Sequence, residues 1–332
     1  MKIQKPLVAL VICIAICFVS AGIAALVQTG FGSVTVRSGY FEPEQTGAAD
    51  DGAPVRIGYK LYIPRDAGAH PVPAVLVMHG YQNDRETSAA YGIELARRGI
   101  AALSVDLYGH GATVPGMRER GWGRAKLTNL EKPVSGPRRF LLMMTFSILD
   151  FFNPGISAGI KDSSMGGKDA YRYLRSLPFV DPARIGITGH SMGTWAAWSV
   201  GAAFPDHRAI VLQCGELFPA AYYDASRYHF NNVLLVQALY DEFDYFRDYQ
   251  RNVPGLKKTP LRYREFMGQD APVEWDRDYG SFGDGSARRM ELIRNNHRLT
   301  THDGHALTAA MYWFRNALGA PQVLADSDHV YM

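Results

Sequence analysis

The residues best suited to do chemistry are the five at Gly189-His190-Ser191-Met192-Gly193. A serine hydroxyl is a poor nucleophile unaided. It needs a neighbouring base, an acid to orient that base, and donors for the alkoxide that forms. Glycines two before and two after the serine suit a sharp strand-to-helix turn, because a side chain at either would clash where the two elements pack. The flanks have that character: Arg184-Ile185-Gly186-Ile187-Thr188 is short and apolar, and Met192 to Ala203 is a helical run rich in Ala and Trp. Such an elbow holds its serine in a strained conformation at a helix N-terminus, whose dipole favours developing negative charge. Ser191 is the expected nucleophile.

A nucleophile on such an elbow finds its partners later in the chain, acid first and histidine second. The acid is expected just past the apolar run Val233 to Ala238, where Asp241, Glu242 and Asp244 stand. Asp241 comes earliest, at the turn where a strand-end carboxylate faces the site, and is preferred. Asp244 suits a solvated helix start, and Glu216, after the preceding run, is a further acid candidate. Three histidines compete for the base: His297, His302 and His305. Asp303 reads as the N-cap of a closing helix, which puts His305 in that helix's first turn. His297 sits on the loop beside a strand end, from which a base reaches the serine more easily, and is preferred. The oxyanion donors expected are the N–H of Met192, next after the nucleophile, and that of Tyr81 in His79-Gly80-Tyr81, where Gly80 permits close backbone approach.

These residues need a scaffold. Strand-like and helix-like segments alternate along the chain, the pattern of a mostly parallel sheet covered by helices. Strands are expected at Val34 to Arg37, Val55 to Ile63, Ala74 to Met78, Ala101 to Asp106, Ile185 to Thr188, Ile210 to Cys214, Val233 to Ala238 and Met290 to Arg294. Helices are expected at Thr87 to Arg98, Gly166 to Ser176, Met192 to Ala203 and Ala306 to Leu318. Residues 111–161 are too long for an ordinary connection. Their apolar half, Phe140 to Phe152, reads as a lid helix, a membrane-surface segment or a core helix. Phe243 to Ser286 reads as a surface excursion.

The N-terminus has a different composition. After Lys2 and Lys5, Leu7 to Val27 carries no charge, long enough for a spanning helix and longer than a usual signal-peptide core. An uncleaved anchor is preferred to a cleaved signal. With the lysines before the run and Arg37 the first basic residue after it, the N-terminus is expected in the cytoplasm and the remainder outside. The expected plan is an anchor at 1–28, a connector at 29–54, a catalytic domain at 55–320 with its insertion at 111–161, and a tail at 321–332.

A net charge of +3 spread along 332 residues, without a basic stripe, gives no reason to invoke nucleic acid. Three cysteines make no disulfide framework. None stands at a metal-ligand spacing from another Cys or His, so Cys13, Cys17 and Cys214 read as small buried hydrophobes. No metal or organic cofactor is implied.

Pro73 to Tyr81, Ser104 to Gly111 and Val180 to Gly193 resemble the α/β-hydrolase superfamily, most nearly its dienelactone-hydrolase and prolyl-oligopeptidase-like branch. The likeness runs from about Val55 to Leu318 and weakens in the last third. It implies a mostly parallel eight-stranded sheet and hydrolysis of an ester, thioester or amide through an acyl-enzyme. It also implies a helix ending in aromatic residues after the base, which Trp313-Phe314 fits. Thr194, where a small Gly is common, and Ala238, where a Gly is usual shortly before the acid, depart from the pattern. The expected activity is cleavage of a small carboxylic ester or thioester by Ser191, Asp241 and His297, and the anchor and the apolar Phe140 to Phe152 favour a lipophilic one. Peptide hydrolysis and acyl transfer would use the same residues, and a non-catalytic binding protein of the envelope is the rival from another class.

Overall fold

The structure is a computed structural model that describes residues 5–43, 56–113, 164–215, 230–243 and 274–331. It begins with helix α1 (Lys5–Gln28). The body contains strands β1 (Val34–Phe41), β2 (Ile57–Pro64) and β3 (Val72–Met78), helix α2 (Ala89–Arg97) and strand β4 (Ala101–Val105). Helix α3 (Gly167–Ser176), strand β5 (Val180–His190), helix α4 (Met192–Ala203) and strand β6 (Ala209–Gln213) follow. Strands β7 (Val233–Tyr240) and β8 (Arg288–Asn296) and helix α5 (Gly304–Ala317) complete it.

All eight strands form one sheet in the order β1-β2-β4-β3-β5-β6-β7-β8. The pairs β1·β2 and β2·β4 are antiparallel and the remaining five are parallel. The central strands are largely apolar because both faces are covered: every residue of β3, β4 and β6 is buried, Ser104 and Gln213 being the polar ones. Trp198 and Tyr171 from α4 and α3 pack in the core with Leu76, Ile187 and Leu212. Tyr91, Trp313 and Phe314 from α2 and α5 pack with Val75, Val77, Val211 and Leu234, the alternate residues of those strands. The period-two alternation of a strand therefore divides each run between two hydrophobic layers. The buried Trp313 indole donates to the Asn232 carbonyl at 2.8 Å, so its polar edge is satisfied.

Three boundaries differ from the sequence expectation. β1 runs past Arg37 to Phe41, paired in register with β2 from Val34↔Pro64 to Phe41↔Ile57. The sheet starts inside the connector, where an early strand is expected, and only the end of that strand differs. β5 starts at Val180 rather than Ile185, through Asp181-Pro182-Ala183-Arg184, which carry no strand signal. β8 extends to Asn296, where Asn296 pairs with Tyr240 after a register shift in β7. The expected lid segment Phe140 to Phe152 lies outside the described residues, as do most of 111–161, most of Phe243 to Ser286, and the acid candidates Glu216 and Asp244.

Helix α1 has a mean hydropathy of 2.9 over its most apolar window, none of it buried, and at ~1.5 Å per residue it is about 36 Å long. It is long and apolar enough to cross a membrane. A tight turn joins it to β1: Phe31 N–H donates to Leu26 O at 2.7 Å and Val34 N–H to Thr29 O at 3.1 Å. Val34 lies beside Pro64, and Tyr62 beside Ala102, so α1 meets the sheet at the end where the parallel strands start. Ser191 follows the opposite end of β5. From Ile185 to Ser191 is roughly 20 Å at about 3.3 Å per residue.

The tail at 321–331 is docked by charge. Buried Glu94 accepts from the Val330 and Tyr331 N–H groups at 2.8 and 3.1 Å and from Arg98 at 2.7 Å. Arg98 also donates to the carbonyls of Ala325 and Asp328, each at 2.7 Å. Burial pushes the Glu94 carboxyl up, but the nearby His329 (3.9 Å) and the bonds from Arg98 and the two tail amides outweigh it and hold the pKa at about 2. Since that value lies below the ordinary 4.5, the carboxylate stabilises the fold above pH 4.5 and loses the contribution as pH falls toward 2. The size is roughly 3 kcal/mol. Glu94→Gln should abolish this acid-side slope in urea unfolding midpoints and leave Arg98 without its counterion; an unchanged slope would refute the assignment.

Candidate active site

The loop between β5 and α4 places Ser191. It adopts φ 52°, ψ −117°, and a non-glycine residue there is strained by about 1–3 kcal/mol. The conformation is held from three sides. Ser191 N–H donates to Gln213 O of β6 at 2.9 Å, and Ser191 O accepts from the Thr194 N–H at 2.9 Å and the Thr194 hydroxyl at 2.6 Å. Thr194, a departure from the resembled pattern, thus ties down the first turn of α4. The flanking glycines are sterically required: a Cβ on Gly189 would lie 2.1 Å from Gly193 O, and one on Gly193 2.6 Å from both Met78 O and His79 O.

Asp241 and His297 come together across the β7 and β8 ends. Nδ1 of His297 lies 2.9 and 3.0 Å from the two carboxylate oxygens of Asp241, both residues buried. Nδ1–H donates to the carboxylate, so the proton sits on Nδ1 and Nε2 is left with a lone pair. Asp241 is itself oriented, since Gln237 Nε2 donates to Oδ2 and Phe243 N–H to Oδ1, each at 2.8 Å. The other two histidines are elsewhere. His305, on the first turn of α5 behind the Asp303 N-cap, is half exposed and bonds Glu291 at 2.6 Å; His302 stacks on Tyr331.

Two residues that sequence reasoning passed over fix the backbone of His297. Its N–H donates to Glu242 Oε2 at 2.7 Å, and its carbonyl accepts from His190 Nε2 at 2.9 Å. Glu242 was weighed only as a rival acid, and His190 only as a variable residue of the five-residue motif. Neither role has a local signal, because each joins segments far apart in the chain.

The third piece is the loop after β3. Ser191 and His297 line a cavity of about 340 Å³ with Gly80, Tyr81, Glu242 and Phe243. A Cβ on Gly80 would stand 2.9 Å from His190 Nδ1 and 3.2 Å from Ser191 Cβ, so any side chain here would push its neighbours aside. His79 is buried beneath it, with Nδ1–H donating to Gly80 O at 2.7 Å and Nε2 accepting from Leu107 N–H at 3.0 Å. Burial and the neighbouring His110 lower its pKa to about 3, so it stays neutral and keeps both bonds. In a trans peptide the N–H points opposite to the C=O. Tying back the Gly80 carbonyl therefore directs the Tyr81 N–H away from His79. Met192, the first residue of α4, is buried beside Ser191.

Cys214 is buried, as expected, whereas Cys13 and Cys17 on α1 are exposed; nor is Cys214 surrounded by hydrocarbon alone. It follows β6 at φ 46°, its thiol 3.0 Å from the Thr300 hydroxyl, with the ligand atoms of Cys214, Asp241 and His297 all within 4.8 Å of one another. Folding brings together what linear spacing had kept apart.

Residues 58–243, more than half of the chain, match the model of the dienelactone hydrolase family. The chain belongs to the dienelactone hydrolase family. No functionally curated protein matches it. Among solved structures, it is similar to the dienelactone hydrolase of Anabaena variabilis, at 16% identity and TM-score 0.51 over 87% of this chain and 99% of that one. A dienelactone hydrolase-like promiscuous phosphotriesterase from metagenomic libraries is 18% identical, with TM-score 0.52 over 86% and 99%. At these identities the neighbours speak for the shared α/β-hydrolase fold, and membership of the dienelactone hydrolase family makes the chain a hydrolase. The match ends at Phe243, so it takes in the elbow and Asp241 but stops short of His297.

Proposed function

We propose that this hydrolase cleaves a small, water-soluble carboxylic ester or thioester through an acyl-enzyme formed on Ser191. The observation that carries the reading is the buried Asp241–His297 pair, whose histidine lines one cavity with a serine held in a strained elbow. In the first step His297 Nε2 removes the Ser191 proton as the hydroxyl oxygen attacks the carbonyl carbon. The N–H groups of Met192 and Tyr81 receive the negative charge, and Asp241 holds the imidazole in the required tautomer and stabilises the imidazolium. The imidazolium then returns its proton to the leaving alcohol or thiol. Water hydrolyses the acyl-enzyme with the same histidine as base.

Helix α1 is read as an uncleaved membrane anchor, with Lys2 and Lys5 on the cytoplasmic side and the catalytic domain outside. On this reading the sheet topology argues against delivery of substrate from the bilayer. The anchor joins at the starting ends of the parallel strands and the cavity lies beyond their carboxyl ends. A cavity of about 340 Å³ is also near the lower limit for small-molecule sites. Short-chain p-nitrophenyl esters should therefore turn over faster than long-chain ones presented in micelles or vesicles. A preference for the long chains would overturn the soluble-substrate reading.

A further inference from the structure

We propose that Cys214, Asp241 and His297 form an inhibitory site for a thiophilic divalent cation, with Zn²⁺ as the natural occupant. All three residues are buried, and their ligand atoms lie within 4.8 Å of one another. Thiolate, imidazole and carboxylate bind zinc at about 2.3, 2.0–2.1 and 2.0–2.2 Å, so tetrahedral donors stand roughly 3.3–3.6 Å apart. His297 Nδ1 and Asp241 already stand 2.9 Å apart, and the thiol needs to close by on the order of 1 Å to complete the set. The two anionic ligands cancel the charge of the ion, which permits its burial. The Gln237 and Phe243 N–H groups on Asp241 would remain as outer-shell support.

The exchange balances as follows. Cys214 gives up its thiol proton to solvent as the sulfur–metal bond forms. The His297 proton moves from Nδ1 to Nε2, so that the Nδ1 lone pair binds the metal. No electron transfer is involved. An imidazole protonated on Nε2 has no lone pair for the Ser191 proton, and the enzyme is off while the metal stays. Because a proton is released, zinc should bind more tightly as pH rises. This consequence for activity rests on the triad reading, whereas the binding itself does not.

The test uses the full chain in detergent with Cys13→Ser and Cys17→Ser, which leaves Cys214 as its only thiol. Added Co²⁺ should give a thiolate-to-cobalt charge-transfer band at one ion per chain, lost in Cys214→Ser and weakened in Asp241→Asn. Zn²⁺ should displace the cobalt and inhibit ester turnover, with reversal by a chelator. Cys214→Ser and Cys214→Ala should keep metal-free turnover and lose zinc sensitivity by at least the roughly 10–100-fold that removal of an outer-shell partner costs. A cobalt band that survives in Cys214→Ser, or the absence of any band in the parent, overturns the site. Equal zinc inhibition with and without Cys214 overturns the inhibitory role. If no ester is turned over at all, the cobalt arm still decides the site.

Discussion

Ser191→Ala should lower kcat for a short p-nitrophenyl ester by about 10⁶-fold, with the protein still folded. On the proposed mechanism, removing the hydroxyl removes the atom that forms the acyl-enzyme, and neither the elbow nor the cavity compensates. The same position permits a control. Ser191 is held at φ 52° by bonds to Gln213 and Thr194, so the strain of a side chain there persists in the alanine variant. Ser191→Gly relieves it. The glycine variant should be as inactive as the alanine one yet more stable than it, by a part of the roughly 1–3 kcal/mol such a conformation costs. Thermal unfolding beside kinetics separates the two effects. Loss of activity in both, with stability rising only for glycine, is the expected pattern.

Asp241→Asn should cost about 10⁴-fold in kcat with little change in KM. The carboxylate here accepts three different donors: His297 Nδ1–H, Gln237 Nε2–H and Phe243 N–H. An amide has one acceptor oxygen and one donor group, so it cannot serve all three. If its NH₂ faces His297, Nδ1 becomes the acceptor and Nε2 carries the proton, which is the wrong tautomer for a base. If its NH₂ faces Gln237 or Phe243, two donors oppose each other in a buried site. The second outcome keeps the tautomer at the cost of buried donors in opposition, which favours the first, and the first removes the base without touching Ser191. A loss under tenfold would mean that Asp241 does not orient the catalytic histidine.

The alternation of apolar runs with helical runs made the sheet legible, because strands buried on both faces have few polar residues to hide them. Boundaries failed where polarity and structure part company. Arg294-Asn295-Asn296 extends β8 with polar side chains at a strand end, and Asp181 to Arg184 lies in β5 despite its proline and charges. β1 continues through Ser38 to Phe41 as an exposed edge strand, where burial gives almost no pattern to read.

At the site, legibility followed sequence distance. Ser191 is visible because its signal is local: two glycines, a strand before and a helix after. His297 and His305 are harder to separate, and what divides them is the Asp303 N-cap, whose Oδ1 accepts the Ala306 N–H at 2.9 Å and fixes where α5 starts. The roles of His190 and Glu242 were illegible. Each is a single bond to the backbone of His297, from the ends of β5 and β7, and only the sheet order β5-β6-β7-β8 brings those ends near it. Cys214 belongs with them, since its nearness to Asp241 and His297 is a property of adjacent strand ends.

The central claim is that Ser191 is a nucleophile activated by His297, and labelling with a fluorophosphonate measures it most directly. One adduct per chain should form on the peptide that holds Ser191, be absent in Ser191→Ala, and form far more slowly in His297→Ala. No labelling of the folded parent, or equal labelling of Ser191→Ala, would contradict it.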